Sequence, residues 1–80
     1  MLETATKGGR MADAGKVYRV TEVVGTSTES VQQAVRNAVK RAHDTLRNLE
    51  WFEVSEVRGT IADGDVGEFQ VMVKIGFRLD

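Results

Sequence analysis

Trp51, the only tryptophan in the chain, stands beside Phe52 in the run Leu49 to Gly59, "LEWFEVSEVRG". An indole offers a flat face for stacking, and the amide of Gln70 offers both a hydrogen-bond donor and an acceptor. Placed on one surface, the two suit a planar heterocycle with a polar edge. A lone tryptophan on an exposed face also serves a subunit contact, where its large apolar area is commonly used. From spacing alone that contact is the simpler account of Trp51.

Other chemistry is scarce. The chain has no cysteine and a single histidine, His43, so thiolate metal sites, disulfides and a histidine-based metal cluster within one subunit are excluded. No glycine-rich phosphate loop and no paired nucleophile and base is present, and "VVGTSTES" reads as a strand end followed by a helix cap. His43 falls beside the polar side of a helix, where a solvated imidazole is the expected state. No catalytic residue and no metal ligand is expected, and the reading is a binding module rather than an enzyme.

Whether Trp51 and Gln70 share a surface depends on the elements that carry them. "VYRVTEVV" at Val17 to Val24 is rich in β-branched and aromatic residues and reads as a first strand. "GTSTES" breaks it, with Thr26 and Glu29 as a capping pair, or Ser27 alone, starting a helix. Val31, Ala34, Val35, Ala38, Val39, Ala42, Leu46 and Leu49 then recur at helical intervals, and charged and amide residues fill the other side. The small residues in the first three turns predict a close approach to a sheet.

A second strand is expected from about Glu50 to Ile61, "ADGD" as a turn, and a third strand from about Gly67 to Leu79. In the third strand Phe69, Val71, Val73, Ile75, Phe77 and Leu79 share one face, and Gln70 lies on the other. If Phe52 and Val54 pack under the helix, Trp51 joins Gln70 on the uncovered face. Val57 and Ile61 have the opposite parity to Val54, which predicts a bend or bulge near Ser55 that changes the surface the strand serves. The fold class is α+β: a three-stranded antiparallel sheet with one helix packed on it, order β-α-β-β.

Eighty residues with eleven basic and twelve acidic side chains, net charge −1, allow one small domain with a modest core. Without staples such a domain is expected to gain stability by self-association. The balanced charge argues against nucleic-acid binding, and no segment approaches the length of a membrane span. The start, "MLETATKGGRMADAGK", lacks a secretory h-region, so a cytoplasmic address is expected. Residues 1–15 read as a flexible tail, with Met11 an alternative start, and residues 16–80 as the domain.

The run "YRVTEVVGTSTESVQQAVRNAVKRAHDTLRNLEWFEVSEVRGTI", followed by "FQVMVKIGFRLD", resembles the dodecins, small flavin-binding proteins, across residues 17 to 80. The specific pieces are "VGTS", "LRNLEWFEV", "VRG", "FQV" and the ending "KIGFRL". The resemblance implies a homododecameric hollow shell of cubic symmetry. It also implies riboflavin-class flavins, riboflavin or FMN, bound in pairs between tryptophans of adjacent subunits, for storage and photoprotection by quenching. Trp51 matches the stacking tryptophan and Gln70 the glutamine that hydrogen-bonds the flavin edge. Arg58 matches a position near the pocket, and Val57 and Glu56 are candidates to line it. Coenzyme A or another nucleotide is a second ligand the resemblance brings in, and a purely structural assembly module without flavin is the other reading. Thr60 and Gly67-Glu68 depart from the histidine and the Ala-His pair of many bacterial members, which bears on ligand preference and assembly. Glu68 alone is not expected to make a metal site.

Overall fold

A computed structural model describes residues 15–80 of the chain, so the expectation of a tail over the preceding residues lies outside them. Four elements follow in the expected order: β1 (Tyr18–Ser27), α1 (Val31–Thr45), β2 (Leu49–Ala62) and β3 (Asp65–Arg78). β1 runs three residues further than its β-branched run, because Gly25, Thr26 and Ser27 remain paired with Val71, Gln70 and Phe69. That extension moves the helix start. The cap is Ser30, whose Oγ accepts from the Gln33 amide at 2.9 Å, and not Thr26 or Ser27 as expected. Ser27 instead tightens the preceding turn by accepting from the Glu29 amide at 2.9 Å.

The helix ends at Thr45, and Leu49, expected on the helical stripe, opens β2 instead. β2 and β3 are joined by Asp63 and Gly64, both at positive φ (53° and 78°), the backbone of a tight two-residue hairpin turn for which Asp-Gly is suited.

β3 is central, in the order β1-β3-β2, with all pairs antiparallel. Its row Val71, Val73 and Ile75 meets Ala34, Ala38 and Ala42 of α1, and these six residues are the buried core. The alanines let the helix lie close, and Gly25 completes the fit: a Cβ there would stand 2.1 Å from the carbonyl oxygen of Ala34. The helix is thereby tied to the β1 side of the sheet. The inner face of β2 stays bare, with Phe52 54% exposed and Val54 and Val57 also exposed. A groove of about 620 Å³ runs between that bare face and Val31, Val35 and Val39 of α1.

β2 carries two bulges, at Glu50 and Ser55, and β3 one near Gly67. The bulge at Ser55 occurs where expected but has the opposite consequence. By absorbing one residue it returns Val57 to the face of Val54, opposite Val71, so the strand keeps its apolar side chains on the helix side instead of changing surface.

Candidate ligand-binding face

The sheet face away from the helix is built by alternation. Tyr18, Val20, Glu22 and Val24 come from β1, and Gln70, Met72, Lys74, Gly76 and Arg78 from β3, with Trp51, Glu53, Glu56 and Arg58 opposite them on β2. Trp51 pairs with Gly76, which pairs on its other side with Val20. A Cβ on Gly76 would fall 2.0 Å from Cε2 of the indole, 2.3 Å from Cζ2 and 2.5 Å from Nε1. An approach in the ring plane would bring it nearer to Nε1 or to Cζ2 than to the recessed Cε2, so the contact is face-on. The indole lies over the glycine, with one face on the backbone and 41% of the residue exposed.

The ring is held at its side as well. Tyr18 meets it edge-on, with centroids 6.5 Å apart and an interplanar angle of 61°. The phenol donates to Glu50 Oε1 at 2.8 Å, and Arg78 Nη1 donates to Glu50 Oε2 at 2.9 Å. Glu50 reaches this face because it is the extra residue of the first β2 bulge, a way in which bulges re-aim side chains. The hydrogen bond to Glu50, followed by desolvation and the carboxylate charge, pushes the Tyr18 phenol above its ordinary value of 10.0, while Arg78 pulls it down.

Gln70 shares the face, as parity requires, but pairs with Arg58. Arg58 Nε donates to Gln70 Oε1 at 3.0 Å, and Gln70 Nε2 donates to Glu68 Oε1 at 3.1 Å. Glu56 lies 3.9 Å from Arg58 Nη1. The polar group is thus Arg58, Gln70, Glu68 and Glu56, whereas the Val57 side chain belongs to the helix side of the sheet. The glutamine Oε1 and the Arg58 fork together present acceptor and donor edges suited to a heterocycle's polar rim.

Gly76 and Gln70 stand six positions apart on β3, which at about 3.3 Å per residue is about 20 Å. Within one chain, no single planar ring system reaches both the Trp51 face and the Gln70 amide. One ring system touching both would have to lie between two copies of the chain.

Two members of this surface escape a reading by residue type. Gly76 has no functional group, and its signal is its place: a glycine inside an otherwise apolar-alternating strand marks a close approach. Tyr18 and Glu50 are 32 positions apart and meet only through the sheet. Among the described residues no group of three or more His, Cys, Asp or Glu is placed to hold a metal ion, and no helix is long and apolar enough to cross a membrane.

Residues 17–80 match the family model Dodecin. The chain is 53% identical to a dodecin of Thermus thermophilus over 66 residues, covering 82% of this chain and 96% of that protein. The solved dodecin of Streptomyces coelicolor superposes with a TM-score of 0.81 at 62% identity, covering 85% of this chain and 97% of that one. A dodecin from Streptomyces davaonensis gives 0.80 at 57% identity, with coverages of 84% and 98%.

Proposed function

Because the chain belongs to the dodecin family, we propose that it is a binding protein for riboflavin-class flavins, held in pairs between subunits of a hollow homododecamer, and that it stores them and quenches their excited state. The observation that carries this reading is the seat of Trp51. Its indole is pressed over Gly76 and braced by Tyr18, which leaves an exposed, held aromatic platform on the sheet face away from the helix. A preorganised ring of this kind loses little freedom when another ring stacks on it.

The second support is the separation of that platform from Gln70 and Arg58. A two-fold axis would bring the platform of one copy to the polar group of another, and each chain would supply one wall and one polar edge. In that arrangement Trp51 stacks on the isoalloxazine and donates an electron to its excited state. Gln70 fixes the ring's polar edge, and Arg58 holds Gln70 in place and faces flavin oxygens. The cytoplasm is the compartment that suits a flavin store.

Riboflavin titrated into the purified protein in the dark tests the reading. Flavin fluorescence should be quenched and should saturate near one flavin per chain, and Trp51→Ala should assemble normally and lose the quenching. Unquenched flavin with wild-type protein, or full quenching with Trp51→Ala, overturns the sandwich. Coenzyme A added to the flavin-loaded protein identifies a competing ligand if it releases fluorescence.

A further inference from the structure

The only tyrosine of the chain and its only tryptophan are in contact, and the tyrosine's proton already points at a carboxylate. Phenol and indole are the two side chains most readily oxidised by one electron in a protein without cysteine. Tyr18 and Trp51 lie with ring centroids 6.5 Å apart, close enough that a hole on one ring passes to the other without an intervening group. We infer that Tyr18 and Glu50 form a repair relay for Trp51, in which Tyr18 returns an electron to the oxidised indole while its phenolic proton passes to Glu50.

A photoexcited flavin, or another one-electron oxidant, removes one electron from Trp51 and leaves the indole radical cation. Tyr18 gives up one electron and becomes a neutral phenoxyl radical, its O–H bond breaking as the proton moves to Oε1 of Glu50. Trp51 returns to its neutral closed-shell form, and Glu50 ends as the carboxylic acid. A phenol is hard to oxidise while it keeps its proton, because the radical cation formed is a strong acid. The 2.8 Å hydrogen bond removes that obstacle, since a base within hydrogen-bond reach takes the proton as the electron leaves.

Two features fit this role beyond mere packing. Glu50 is held from the far side by Arg78 Nη1 on Oε2 at 2.9 Å, which leaves Oε1 committed to the phenol. Tyr18 meets the indole in an edge-type contact and still leaves Trp51 41% exposed, so ring surface remains open to a ligand. The relay deepens the proposed function, because that reading supplies the oxidant in the cell. Its chemistry is independent of flavin.

The test therefore uses the flavin-free full-length protein. Azide radicals generated by pulse radiolysis oxidise the indole, and transient absorption follows the indole radical cation and the phenoxyl radical, each assignable because the chain has one residue of each kind. The expected result is first-order decay of the oxidised indole matched by growth of phenoxyl, at a rate independent of protein concentration. Tyr18→Phe, its fold checked by circular dichroism, should lose the phenoxyl signal and lengthen the lifetime of the oxidised indole. Glu50→Gln, which still accepts the hydrogen bond but is not a base, should slow the growth. Decay of the oxidised indole without phenoxyl growth, or equal rates in wild type and Glu50→Gln, overturns the relay. Neither result touches the flavin titration, so the two readings fail separately.

Discussion

A methyl group on Gly76 would begin 2.0 Å from Cε2 of the indole, and the atoms it meets belong to a side chain that can turn away. Gly76→Ala is therefore expected to cost no more than the about 1–3 kcal/mol typical of overpacking, and to express its main effect as a displaced Trp51. Tryptophan emission should shift towards that of a solvated indole, and flavin quenching should fall while the fold is kept. Wild-type quenching in this variant would mean that the glycine seat does not position the platform. Tyr18 gives a second measurement at this scale. Its folded pKa is raised above 10.0, chiefly by the hydrogen bond to Glu50. The protonated phenol is then favoured by folding, and the stability this contributes is full below pH 10 and is lost as pH rises through the elevated folded value. Ultraviolet titration of the single tyrosine should show tyrosinate appearing at higher pH in wild type than in Glu50→Ala, and coincident curves would remove the hydrogen bond as the cause.

At the scale of elements, periodicity made most of the fold legible, because the alternation of β3 and the stripe of α1 are each dictated by one buried face. What periodicity could not supply is pairing. Ser30 caps the helix in place of Thr26 or Ser27 because β1 keeps its ladder to β3 as far as Ser27, a tertiary constraint that no local run of hydroxyl residues reveals. Parity likewise assigned Trp51 and Gln70 to one face, yet parity carries no distance, and their separation appears only once the register is known. The Ser55 bulge was detectable as a parity break, but the break alone does not say whether the strand changes surface or absorbs a residue and keeps it, and the register with β3 shows the second. These local features differ in weight. Ser30→Ala removes one cap and should cost about 1 kcal/mol. Gly25→Ala drives a Cβ towards the backbone oxygen of Ala34, which cannot rotate away, so it should reach or exceed the upper end of about 1–3 kcal/mol. Urea denaturation of the two variants should preserve that order, and a Gly25→Ala protein as stable as Ser30→Ala would show that the helix can lift from β1 at little cost.

The whole molecule carries more apolar surface than its own helix covers. One helix rests on the β1 side of the sheet, and Phe52, Val54 and Val57 face outward beside it, with Ile61 82% exposed near the hairpin tip. A monomer with such a face is a poor end state for a small domain with a six-residue buried core, and association that covers it would supply the missing burial at about 25 cal/mol per Å². The proposed sandwich calls for the same association, because Trp51 and Gln70 of one chain are too far apart for one ring system. Phe52→Glu joins the two arguments. Its side chain is already half exposed and lies on the opposite face from Trp51, so the isolated chain should keep its fold, its indole seat and its Arg58–Gln70 pair. A charge there opposes burial of the groove against a neighbour. The variant should elute at a smaller size than wild type in sedimentation or size-exclusion experiments, retain its circular dichroism, and fail to quench riboflavin although every proposed ligand contact remains in each chain. A dissociated Phe52→Glu protein that quenches riboflavin as wild type does would place the whole site within one subunit, against the distance along β3.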